Sequence, residues 1–159
     1  MRVLYTTFLI ALVGCLTTTQ VAGEMSCIVP SDAAHNAPST KQVVGHYRAV
    51  SESEWSLEVW LYPDGKAEVL WEWWHAGQFD ERTSTRYRGK WSLVRGFVAL
   101  EYGGRCETLA FNSSLSFAEF GFEGAAPGLK GIHSSVSNNL FVGRSLWRAD
   151  SLQQIPDPG

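Results

Sequence analysis

A chain of 159 residues, 45% hydrophobic and 18% charged, has material for one packed unit and is too apolar for wholesale disorder. Thirteen basic against sixteen acidic side chains leave a net charge of −3, which excludes the basic footprint of a nucleic-acid binder. Seven Trp, five Tyr and eight Phe make the chain aromatic-rich, so its surface and its core both have large rings to place.

In chain order, Met1-Arg2 supplies a short positive start, and the apolar run over 3–16 is too short to span a bilayer, so the segment reads as a secretory signal. Two processing sites are open. Leu12-Val13-Gly14-Cys15 resembles the bacterial lipoprotein box, in which small residues admit the peptidase and the Cys15 thiol takes a diacylglycerol. Cleavage after Gly23, with Val21 as the other flanking residue, is the alternative. The first is preferred because the apolar run stops at the cysteine. It gives a signal over 1–15, an acylated protein held at the membrane without a helix across it, and, with Leu16 rather than Asp after the cysteine, an outer-membrane address facing the periplasm. The second gives a signal over 1–23 and a soluble periplasmic or secreted protein. Either reading leaves Cys27 and Cys106 as a pair in an oxidising compartment, where a disulfide is expected.

Residues 16–42 are rich in Thr, Ser, Ala and Pro, lack periodicity and read as a flexible tether. From Val43 the pattern becomes short alternating segments bounded by turn residues; eight strands are expected within 43–150, followed by a disordered tail over 151–159. Tyr62-Pro63-Asp64-Gly65-Lys66 is a hairpin connection: Pro fixes φ, Asp tolerates the next turn position and Gly takes positive φ. Pairing Tyr62 with Lys66 sets Val59 opposite Val69, Leu57 opposite Trp71 and Trp55 opposite Trp73, all on one face. Glu58, Trp60, Glu68, Leu70, Glu72 and Trp74 take the other, outward face.

A longer connection near 78–80 sets Trp73 against Tyr87, Trp71 against Gly89 and Val69 against Trp91. It also sets Glu72 against Arg88 and Trp74 against Arg86 outside. Arg95-Gly96 turns the next hairpin, bringing Val98 beside Leu93 and Leu100 beside Trp91. After Gly103-Gly104 the count turns Cys106 outward and Glu107 inward, a cost unless that carboxyl is hydrogen-bonded or the strand carries a bulge. Residues 115–122 and 138–148 are assigned to the last two strands, with a Gly-, Ser- and Asn-rich loop over 123–137. The expected architecture is all-β, an eight-stranded antiparallel up-and-down barrel; a two-sheet sandwich is the alternative.

Gly45-His46-Tyr47, Tyr62-Pro63-Asp64-Gly65-Lys66-Ala67, His75-Ala76-Gly77-Gln78-Phe79-Asp80-Glu81 and Gly89-Lys90-Trp91-Ser92-Leu93 together resemble the lipocalin-like small barrels of bacterial envelope lipoproteins, the barrel of copper-stress sensing lipoproteins among them. The resemblance implies a small closed barrel in the envelope. The Cys-x-x-Cys of the copper-stress proteins is missing here, so metal or redox sensing is not implied.

Four histidines, His35, His46, His75 and His133, are dispersed without metal-ligand spacing, and no metal or other cofactor is expected. His133-Ser134-Ser135 lacks a named third member, while the acids of Asp80-Glu81 and Glu52/Glu54 fall at strand ends or loops, so no enzyme activity is expected. Asn112-Ser113-Ser114 is a sequon of the kind expected by chance. The expected function is therefore a non-enzymatic protein-binding module: an inhibitor, an immunity factor against a toxin, or an accessory subunit for an envelope enzyme. It would dock through outward Trp60 and Trp74 with Glu72, Arg86 and Arg88. The alternative is a carrier or sensor of a small apolar or lipid ligand held at the barrel mouth by Trp55, Trp71, Trp73, Tyr87 and Trp91.

Overall fold

In the computed structural model, which describes residues 27–32, 36–49, 55–75, 78–121 and 123–152, the turn chemistry sets the hairpins. Gly65 takes φ +81° between β2 (Trp55–Leu61) and β3 (Lys66–His75), and Tyr62 N–H donates to Lys66 C=O at 2.9 Å. Arg95 and Gly96, both at positive φ (52° and 84°), join β4 (Gln78–Val94) to β5 (Phe97–Tyr102), as a two-residue turn between right-twisted strands requires. Gly103 and Gly104 do the same between β5 and β6 (Arg105–Ser116). β7 (Ala125–Ser134) and β8 (Ser145–Arg148) complete the sheet, and β8 pairs with β1 (Gly45–Arg48), closing an eight-stranded antiparallel up-and-down barrel. The lipidation candidate Cys15, both signal readings, His35 and Glu52/Glu54 lie outside the described residues.

Parity placed the side chains well. Val59 opposes Val69, Leu57 opposes Trp71 and Trp55 opposes Trp73, while Leu93 opposes Val98 and Trp91 opposes Leu100. The interior is packed solid by Leu57, Val59, Val69, Leu100, Leu109, Leu129 and Leu146, each 0% exposed. One end is closed by α1 (Thr40–Val43), whose Val43 carbonyl accepts from Tyr47 Oη at 2.7 Å. Arg148 ties this helix to the last strand, its Nη2 donating to the Gln42 and Val44 carbonyls at 2.7 and 2.8 Å. The other end is plugged by Phe141, fully buried on the connection between β7 and β8, with its ring edge-on to Tyr102 at 5.9 Å. A second, smaller cluster of Phe117, Ala126 and Trp147 is packed by Leu115 and by Leu152 of α2 (Ala149–Leu152).

Three expectations are corrected. The pairing of β3 with β4 is displaced by four residues: Val69 faces Tyr87, Trp71 faces Thr85, Trp73 faces Thr83, Trp74 faces Arg82 and Glu72 faces Ser84. Strand β4 begins at Gln78, not after 80, so the connection is shorter than expected and 78–80 belong to the strand. An even displacement preserves which face each side chain takes but changes every partner. Second, the hairpin rises above its neighbours, so Trp73 on its inner face is 44% exposed instead of filling the core. Third, 115–122 is the end of β6 and a 3-10 turn (Ala118–Phe120), whereas β7 runs through the segment read as a loop.

Gly128 and Gly131, which look like loop residues, are there because a Cβ on the second would stand 1.9 Å from the Phe141 carbonyl oxygen. A Cβ on Gly128 would meet Leu115 and the Leu146 carbonyl, at 2.6 and 2.7 Å.

Candidate functional site

The outer face of β1 to β4 reads across the strands in rows fixed by the register. His46, Trp60, Glu68 and Arg88 form one row; Arg48, Glu58, Leu70 and Arg86 form the next; Ser56, Glu72 and Ser84 form the third, with Trp74 and Arg82 above. Acids therefore occupy the two inner strands and cations the two flanking ones. His46 Nε2 lies 2.6 Å from Glu58 Oε2, and Arg48 Nε 3.8 Å from Glu58 Oε1. Arg86 pairs with Glu68 at 2.7 Å, and Arg82 pairs with Glu72.

Trp60 is the centre of this face. The His46 ring is stacked on it at 4.4 Å between centroids, and the Arg86 guanidinium lies 5.3 Å from its centroid. Half-buried and braced by two cation-capable groups, the indole has little rotamer freedom left to lose on docking. Arg82 covers Trp74 in the same way at 5.2 Å. Of the expected patch, Trp60 and Arg86 are brought together; Trp74 is served by Arg82 rather than Arg86. Glu72 is only 7% exposed because Arg82 and the Ser84 hydroxyl, 3.4 Å away, close over it, so it braces the surface without contributing contact area. Arg88 is exposed and makes no ion pair among the described residues. Beside the patch, His46, Arg48 and Glu58 face Ala149, Asp150 and Leu152 of α2 across a cleft of about 450 Å³.

Residues 27–32 run along a different part of the barrel wall. The Cys27–Cys106 disulfide, with Cα atoms 5.2 Å apart, fastens them to β6; Thr108 Oγ1 donates to the Ile28 carbonyl at 2.8 Å. Arg95 reaches the Pro30 and Ser31 carbonyls. Residues 27–32 are thus fastened to β6 and to the turn between β4 and β5, away from Trp60.

The barrel mouth holds a second aromatic group. Trp55 and Trp71 stack at 5.6 Å with Arg144 over both, and Tyr87 meets Tyr102 edge-on at 5.4 Å with Arg105 over both. Trp91 belongs to the opposite end, its Nε1 donating to the Tyr62 carbonyl at 2.9 Å, so the five rings considered as a ligand pocket do not share one site. Burial lowers the Arg144 pKa and raises that of Tyr102.

The inward Glu107, 0% exposed, is hydrogen-bonded as its placement required: Tyr102 Oη donates to its Oε1 at 3.1 Å, and the pairing of β6 with β7 carries an irregularity next to it, between Thr108 and Leu109. Burial raises its pKa, opposed by Ser134, Tyr102 and Arg105. A carboxyl whose folded pKa lies above the unfolded value stabilises the fold below the unfolded pKa of 4.5, and that contribution is lost as pH rises through the folded pKa. Glu107→Gln is therefore expected to raise Tm at neutral pH relative to the parent and to flatten its pH dependence; melting curves from pH 4 to 9 check it.

His46, Arg105, Phe141 and Arg144 were missed by sequence reasoning. Counting the pairing of β1 with β2 would have found His46 beside Trp60. Arg105 faces Tyr102 across the Gly103-Gly104 turn, so counting that hairpin would have found it as well; Phe141 and Arg144 depend on the path of the connection between β7 and β8, for which no local signal exists. Comparison with protein-family models, with curated proteins and with solved structures finds no match.

Proposed function

We propose that this protein is a protein-binding module of the bacterial envelope, held by a lipid on Cys15, which docks an envelope protein through the outer face of β1 to β4. The partner is a toxin or enzyme that the module inhibits, neutralises or assists. The observation that carries the reading is Trp60, an accessible indole held rigid between His46 and Arg86 inside a ring of paired charges. Interface hot spots have this make-up: a large pre-ordered aromatic with polar groups around it that exclude water. The solid interior favours this face over carriage of a ligand, because Phe141 and seven fully buried aliphatic side chains occupy the space a carrier would keep open.

The test uses the full chain as bait in envelope extracts, beside Trp60→Ala and Trp74→Ala variants with unchanged circular dichroism. Loss of a captured protein with Trp60→Ala, and binding about 30-fold weaker once that protein is purified, is the expected result. Capture unaffected by both substitutions would overturn the reading. A stoichiometric lipid adduct in native mass spectrometry would replace it with carriage.

A further inference from the structure

The barrel wall is uneven. Strand β4 has 17 residues and β5 only 6, and β5 pairs with β4 from Gly89 to Val94. Above Gly89, residues 78–88 pair with β3 on one side and with no described strand on the other.

Backbone direction identifies the open groups. Trp91 N–H donates to the Gly65 carbonyl at 2.8 Å, across to the β3 side. The pairing of β3 with β4 shows no register shift between Trp91 and Arg82, so the alternation holds along this stretch. Residues 83, 85 and 87 thus direct N–H and C=O to β3, while Arg82, Ser84, Arg86 and Arg88 direct theirs to the open side. Seven residues of strand present this edge, a length of about 23 Å.

Its side chains specify what fits. Arg82, Arg86 and Arg88 stand exposed on the outer face of the edge, and the Arg105 guanidinium sits over Tyr87 on the inner face. Glu72 and Glu68 engage Arg82 and Arg86 from the β3 side, leaving the far side of each guanidinium and all of Arg88 without a carboxylate among the described residues. Exposed charges are how proteins keep such edges from pairing with their own kind. Here the charges are all positive, and antiparallel pairing of two copies about Ser84 would set Arg82 against Arg86 twice. The barrier falls on a like edge and admits an acidic one.

We infer that the open edge of β4, residues 82–88, is a strand-addition site that takes an extended acidic segment of a partner protein. This rests on the protein-binding reading and names the mode of recognition: backbone hydrogen bonds from Arg82, Ser84, Arg86 and Arg88 hold the added strand, and alternate acids on it meet Arg82, Arg86 and Arg88. Two of the edge arginines lie over the rings of the face, Arg86 over Trp60 and Arg82 over Trp74, so one partner can occupy both face and edge.

The experiment measures fluorescence anisotropy of a labelled, end-blocked nine-residue peptide of alternating Glu and Thr against the full chain at low salt, with an alternating Lys and Thr peptide as control. Ser84→Pro removes an edge donor without touching the β3 ladder, a position where an edge strand tolerates proline. Arg88→Glu reverses the charge and leaves the backbone intact, so it reads the site even should the proline variant fail to fold. The expected result is saturable binding of the acidic peptide alone, weakened at least about tenfold by either variant, at unchanged Tm for Arg88→Glu. No binding of the acidic peptide, equal binding to folded Ser84→Pro, or a dimer that Arg88→Glu stabilises overturns the inference. An extract partner lost with Trp60→Ala but kept by both edge variants would sink the edge and leave the face standing. The reverse pattern would sink the face and leave the edge.

Discussion

Phe141→Ala is expected to destabilise the barrel by about 3–5 kcal/mol, the largest effect of any single truncation considered. Phe141 is fully buried, touches Tyr102 and closes one end of the interior from a connection without strand structure of its own. The connection cannot slide down to refill the space. It is held by Gly131 N–H donating to the Arg144 carbonyl at 3.0 Å and by Gly143 N–H donating to the Gly131 carbonyl at 3.1 Å. The cavity therefore persists, lined by leucines and tyrosine, and an apolar cavity of that kind stays dry and accepts small apolar molecules. Urea unfolding measures the loss, and titration with an apolar fluorescent probe measures the gain. A cost below about 1 kcal/mol, the range of an exposed side chain, would show that Phe141 is not the plug.

Removal of the Cys27–Cys106 disulfide, by Cys27→Ser with Cys106→Ser, is expected to cost up to about 4 kcal/mol, the loop-entropy value for a closure of this length. The bridge spans a sequence separation of 79 and fastens a segment that otherwise adheres through hydrogen bonds from Thr108 and Arg95. Since all eight strands pair independently of the bridge, far-ultraviolet circular dichroism should stay unchanged while the urea midpoint falls. An unchanged midpoint in the double variant would show that the bridge adds nothing to stability.

Most of the fold could be read from alternation, because a strand that is wet on one face and buried on the other writes its register in its side chains. The turn at Gly65 and that at Arg95-Gly96 then fixed two hairpins by arithmetic. Between β3 and β4 parity alone cannot tell one register from another displaced by four, and Gln78 and Asp80 read as turn residues although they continue a strand. In β7 both faces are buried, with Ala126 and Gly128 on one and Leu129 and Gly131 on the other, so no wet face marks the alternation, and the glycines answer to close backbone approach rather than to apolar demand. The patch around Trp60 was legible as a face. Its bracing by His46 follows only once β1 is counted against β2, which sets His46 opposite Trp60.

The proposed docking by the outer wall of the barrel is tested most directly by amide hydrogen exchange on the complex with a protein captured by the parent chain and lost with Trp60→Ala. Slowed exchange in 58–72 and 82–88, with the rest unchanged, is the predicted outcome. Protection confined to the mouth, at Trp55, Tyr102 and 135–144, would contradict the account and place the partner's contact on the rim instead.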